Sequence, residues 1–161
     1  MLDQAKVSIE KAPNHKHEIH RTLAHSYTFY FTFLLLGILM DFIFPIKIFT
    51  TSFTLPTGFL FLVLGTVIIL WAQLSYVNVD SKEIAKEHFC KGPYCYTRNP
   101  THWGLFLSIL GFGLIANGFF IVLFTVLSHL LAKLTFIKKY ESVMLHHFGA
   151  PYEEYKKSVK I

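Results

Sequence analysis

Two stretches of this chain put reactive residue types close together. The first runs from Lys86 to Gly104 and holds His88, Phe89, Tyr94, Arg98, Asn99, Pro100 and His102. The second runs from Tyr140 to Tyr155 and holds Tyr140, Glu141, Phe148, Gly149, Tyr152 and Tyr155. Gly92-Pro93 marks a turn, and Pro100 disfavours helix at Asn99 while suiting the first turn of a helix that follows. The N–H groups and positive dipole end of such a helix favour a carboxylate. Arg98, at the same level, can fork onto an anion. From the residues alone that anion is equally a ligand or a lipid phosphate. His102 titrates near neutrality when unperturbed. It can therefore serve as a base for an amine or simply as a hydrogen-bonding group. Glu141 is an acceptor with two oxygens, suited to hydroxyls or an ammonium.

Both stretches must be positioned by apolar helices. Of 161 residues, 53% are hydrophobic and only 16% charged, against about 25% charged in soluble domains. Mean hydropathy is +0.44. Four apolar runs stand out: 27–46, 56–76, 103–116 and 119–137. A crossing needs about 20 apolar residues, so the third run is short and is expected to begin near Thr101. Four spans cannot close a barrel, and lipid-exposed backbone must be satisfied within itself. The expected fold is all-α: a single membrane domain over 1–161, with a polar segment at 1–26, a helix pair at 27–76, a motif loop at 77–101, a hairpin at 102–137 and an amphipathic C-terminal helix at 138–161. The first apolar run lacks a small-residue cleavage site and reads as a retained span.

Basic residues alternate across the runs. Lys6, Lys11, Lys16 and Arg21 precede the first; Lys82, Lys86, Lys91 and Arg98 lie between the second and third; Lys138, Lys139, Lys156, Lys157 and Lys160 follow the fourth. Lys47 alone lies between the first two, and no basic residue separates the last two. This bias puts both termini and loop 77–101 on the cytoplasmic side. It also accounts for the net charge of +5 through anionic headgroups, without nucleic acid. Asn117-Gly118 makes the third and fourth runs a tight hairpin, so the two reactive stretches should meet at one membrane face.

The run Gly92 to Gly104 resembles the signature G-P-Y-x-Y-x-R-[HN]-P-x-Y-x-G of the isoprenylcysteine carboxyl methyltransferase and phospholipid methyltransferase superfamily. The second stretch is similar to that superfamily's E-E-x-x-L-x-x-x-F-G-x-x-Y-x-x-Y through Glu141, Phe148-Gly149, Tyr152 and Tyr155. The resemblance covers about residues 86–159. It implies a membrane-embedded methyltransferase that uses S-adenosyl-L-methionine on a lipid-like or lipidated acceptor. By the same resemblance His88, Phe89, Tyr94, Arg98, Asn99, Pro100, His102, Gly104, Tyr140 and Glu141 would hold the cofactor, and Arg98, His102 and Glu141 would act at the reacting centre. Three positions depart from the pattern. His102 replaces a tyrosine, and Tyr140 replaces the first of two paired acids. Lys157-Ser158-Val159-Lys160-Ile161 stands where the family continues with Val-Pro. A one-residue slip in the helix would bring Glu141 to the position of that first acid.

The remaining candidates have plainer readings beside the functional one. His129 and Lys133, four apart, would share a helix face and line a substrate cavity, yet Lys133 can also snorkel to water. Asp41 falls near the outer end of the first span. Gly104, Ser108 and Gly111 form a small-residue stripe read as packing. Tyr27, Tyr30, Trp71, Tyr76 and Trp103 read as interfacial anchors. Cys90 and Cys95 read as small buried thiols, because a structural disulfide is not expected on a reducing side. No metal site is expected; His15, His17 and His20 read as part of a polar tail. The competing function is a membrane scaffold or transporter-like protein that keeps the fold without chemistry.

Overall fold

The computed structural model describes residues 12–49, 54–75 and 89–159. His88 and Tyr76 therefore lie outside the described residues. Helix α1 spans Ala12–Ile43 and α2 Thr54–Leu74. A 3-10 turn, Gly92–Cys95, precedes α3, Pro100–Ala116. Helix α4, Phe119–Ala132, passes through a π-helical turn, Lys133–Ile137, into α5, Lys138–Phe148; α6 is Ala150–Ser158. Among the described residues there is no strand, only a single antiparallel bridge from Lys47 to Gly118.

Among the described residues, three stretches are long and apolar enough to cross a membrane: Ala24–Ile43, Thr54–Leu74 and Phe119–His146. At about 1.5 Å per residue, the 21 residues of α2 reach roughly 32 Å, matching a hydrocarbon core of about 30 Å. Helix α3, with 17 residues, reaches only about 26 Å. It begins at Pro100, where the missing N–H has no acceptor to lose. Their outer faces are apolar and bare: Phe42 is 86% exposed and Phe59 61%. In a soluble protein such faces would aggregate; in a bilayer they meet lipid.

Helices α2 and α3 pack with their backbones in direct contact. A Cβ on Gly65 would lie 2.5 Å from the Gly104 carbonyl oxygen, and one on Gly111 would lie 2.5 Å from that of Gly58. The glycine stripe of α3 is thus met by a second glycine stripe, on α2. Small residues at such crossings let dispersion hold helices together where lipid removes the hydrophobic drive.

Helix α1 lies on α4 instead. Phe33 stacks edge-on to Phe124 with ring centroids 6.0 Å apart, and Phe29 meets Phe136 at 5.5 Å. At the far end from the reactive stretches, the Asp41 carboxylate accepts hydrogen bonds from the backbone N–H of Phe120 (3.0 Å) and Ile121 (2.8 Å). It caps α4, satisfying donors that would otherwise be orphaned. Asn117 turns the hairpin with φ 52°. Its side chain accepts from the N–H of Ile48 and Phe49 and donates to the Phe49 carbonyl. Helices α1 and α2 make almost no contact with one another, which leaves a groove between them floored by α3.

The helix does not stop at Ile137. It continues, widened by about one extra residue per turn through the π segment, to Phe148, where Gly149 at φ 61° breaks it. The amphipathic region is therefore two short helices. They close over a cluster of Phe89, Met144, Tyr152, Tyr155 and Val159.

Candidate functional site

The loop before α3 and the helix after the π turn meet. Arg98 Nη1 lies 3.0 Å from Glu141 Oε1, and Lys156 Nζ lies 2.9 Å from Glu141 Oε2. Arg98 and Glu141 retain only 16% and 12% of their side-chain exposure, so water screens the pair weakly. A second tie runs from the Tyr155 hydroxyl, which donates to the Tyr94 carbonyl at 2.7 Å. A third is aromatic. The Phe89 ring sits edge-on to Phe148 and Tyr152, with centroids 5.1 and 5.5 Å away. Burial pushes the phenols of Tyr152 and Tyr155 well above their usual range, and the Glu141 carboxylate adds to the effect.

Beneath these ties lies a cavity of about 320 Å³ lined by Tyr94, Arg98, Asn99, Pro100, His102 and Tyr140, with Tyr27, Gln73 and Thr101 on its inner side. Tyr140 therefore faces the cavity, and its neighbour Glu141 grips Arg98. Asn99 sits at the N-terminus of α3 with no side-chain cap, its carbonyl accepting from the N–H of His102 and Trp103. His102 is 4% exposed, and its Nε2 has no hydrogen-bond partner; Arg98 Nε is likewise buried and unpaired. Buried polar atoms are rarely left so. They mark a place where a polar ligand would supply partners.

A second cavity, about 410 Å³, opens from the first towards lipid. Tyr27, Gln73 and Thr101 line both. Its other walls are Tyr30, Phe31 and Leu34 of α1, Ile69 of α2, and Leu105 and Ile109 of α3. This is the groove that α1 and α2 leave open.

Several residues stand elsewhere than expected. Gly104 is packed on α2 and does not line the cavity, because the backbones touch there. Phe89 packs under α5 and α6, not on the cavity wall. His129 is buried between Trp103 and Phe106 and shares a 3.0 Å hydrogen bond with the Tyr30 hydroxyl. Lys133 is exposed on the π turn, and neither residue lines either cavity. Cys90 and Cys95 are joined in a disulfide, with Cys90 exposed, so the expectation of small buried thiols is corrected. A sequence separation of 5 brings the two sulfurs round one tight turn, a proximity that a reading from compartment alone ignores. Tyr30, expected as an interfacial anchor, is 1% exposed. The polar Gln73 near the end of an otherwise apolar span, and Tyr27 with Tyr30 on one helix face, were the available signals for the inner wall.

A family model described as phospholipid methyltransferase matches residues 53–150, well over half of the chain. The chain belongs to that family. The matched stretch of this phospholipid methyltransferase family member takes in α2, the Arg98 loop, the α3–α4 hairpin and Glu141, and leaves out α1 and α6. Membership makes the chain methyltransferase-type, and methyltransferases of this family generally use S-adenosylmethionine. No curated protein and no solved structure matches it.

Proposed function

We propose that this protein is a membrane methyltransferase that binds S-adenosyl-L-methionine in the Arg98–Tyr140 cavity and methylates a lipid-like or lipidated acceptor arriving through the α1–α2 groove. The observation that carries the reading is the Arg98–Glu141 pair. It joins the two motif segments over a cavity that continues into an apolar groove.

The cofactor supplies an electrophilic methyl on a sulfonium. This chain's residues supply a place and an orientation, which is most of what such a transfer needs. Tyr94 and Tyr140 offer phenols to the cavity. Arg98 Nε and His102 Nε2, unpaired in the protein alone, would be satisfied by the cofactor's polar groups or by the acceptor. A cavity of about 320 Å³ lies at the small end of the usual range of about 300–1,000 Å³ for ligand sites. Its inner neighbour, lined by Phe31, Leu34, Leu105 and Ile109, suits an acyl or prenyl chain. An acceptor amine must lose a proton, and His102 is placed to take it. An acceptor carboxylate needs no base, and His102 then only donates or accepts a hydrogen bond.

The test is isothermal titration of the full chain in detergent with S-adenosylhomocysteine, followed by labelled methyl transfer onto fractionated membrane lipids. Saturable binding is expected, together with label in a lipid-soluble product. Well-folded protein that takes up no S-adenosylhomocysteine would sink the proposal.

A further inference from the structure

The Cys90–Cys95 bond lies in a loop that the basic-residue bias assigns to the reducing side of the membrane. Disulfides that form in such compartments are mostly transient and redox-sensing. The position of this one gives it something to control. Cys90 follows Phe89, whose ring is seated against α5 and α6. Cys95 follows Tyr94, which lines the cavity and receives the Tyr155 hydroxyl on its carbonyl. The bond therefore closes a ring around the 3-10 turn, with an anchor to α5 and α6 at each end. The same turn rests on α2, where a Cβ on Gly92 would strike Ser75 and come within 3.0 Å of Trp71 Nε1. Cys90 is exposed, so a thiolate from solution can reach its sulfur.

We infer that Cys90 and Cys95 form a thiol–disulfide exchange site, open to small thiols and disulfides, that governs the order of the Tyr94 turn and through it cofactor affinity. The consequence for affinity rests on the cofactor reading above. In opening, the thiolate of a small dithiol attacks Cys90 Sγ and Cys95 leaves as a thiolate. The second thiol of the reagent then displaces Cys90, also as a thiolate. The reagent is oxidised by two electrons and the protein bond is reduced by two. In closing, one oxidised glutathione is consumed and two reduced molecules are released. The opened turn keeps hydrogen bonds such as Tyr94 N–H to the Lys91 carbonyl and Thr97 N–H to the Pro93 carbonyl. It loses the covalent closure that holds them. If it is then formed about a tenth of the time, apparent affinity falls about tenfold.

Two measurements on the full chain in detergent decide this, each made in oxidised glutathione and in dithiothreitol, with the thiol state checked by intact mass. The first is hydrogen exchange at residues 91–97. Exchange should be faster in dithiothreitol for the native chain, and equally fast in both buffers for the Cys90→Ser, Cys95→Ser double variant. The second is S-adenosylhomocysteine titration, where the native chain should bind about tenfold more weakly when reduced and the double variant should match the reduced value throughout. Exchange that ignores the thiol state, or failure of oxidised glutathione to form the bond, overturns the switch. Absent binding in both buffers, with exchange still redox-dependent, removes the cofactor reading and leaves the thiol site standing.

Discussion

At the scale of single residues, the site depends on which neighbour each side chain can reach. Replacing Glu141 with Ala leaves Arg98 half-sunk and unpaired. A deeply buried pair broken this way costs about 3–5 kcal/mol; with the present residual exposure about 2 kcal/mol is expected after allowing for solvent screening. A fall in thermal midpoint, with S-adenosylhomocysteine affinity at least tenfold weaker, checks it. Lys156→Ala removes the outer contact, at 41% side-chain exposure, and should change the midpoint little. The phenols of Tyr152 and Tyr155 give a pH signature. Each ionises near 10.0 when unfolded and higher when folded. Their contribution to stability is complete below that value and falls as pH rises above it. Spectrophotometric titration should show Tyr152 and Tyr155 among the tyrosines that resist ionisation until the fold is lost, and Tyr152→Phe with Tyr155→Phe should lower the number that resist and lessen the alkaline fall. Arg98 and Glu141 were readable in sequence because each sits in a motif with fixed offsets. The Tyr30–His129 bond was not, since 99 positions separate the partners and nothing local encodes the meeting.

At the scale of elements, the helices were legible because lipid demands long apolar runs, and Pro100 announced the start of α3. Helix irregularities were not. No residue type in Lys133–Ile137 signals a π turn. Its effect on the site is large, since one inserted residue rotates everything after it by about 100°. The residue facing the cavity is Tyr140, with Glu141 turned to Arg98. Deleting Thr135 should restore plain α-helix and misalign Tyr140 and Glu141 together. Loss of S-adenosylhomocysteine binding with unchanged helical circular dichroism would bear this out. The glycine crossing gives a second prediction. Gly65→Ala forces apart two backbones and should cost about 3 kcal/mol, whereas lipid-facing Leu64→Ala, at 44% exposure, should cost less than about 1 kcal/mol. Thermal denaturation in detergent separates them.

At the scale of the whole molecule, the distribution of charge predicts that Arg98, Glu141 and the lysines beyond Ile137 share one side of the bilayer. Single cysteines introduced at Lys139 and at Lys47, in a chain freed of Cys90 and Cys95, should react with an impermeant maleimide from opposite sides of sealed vesicles. Labelling of both from the same side would overturn the assigned orientation. Four apolar helices follow from composition alone. How they pair does not: α2 lies on α3 through facing glycines and α1 on α4 through phenylalanines, and the open seam between the two pairs is a consequence visible only once both contacts are made.

The Asp41 clasp on α4 sits at the opposite membrane face from the Arg98–Glu141 pair, about 26 Å away along α3. Helices α3 and α4 run from the Asn117 turn like the two arms of a pair of tongs, and the Asp41 clasp fixes the base of the α4 arm to α1. A slight splay at the base is magnified at the tips, where Arg98 and Glu141 must stay within reach. Damage at Asp41 should accordingly present as a weakened grip at the other end of the molecule, in a protein that has lost no residue from its site.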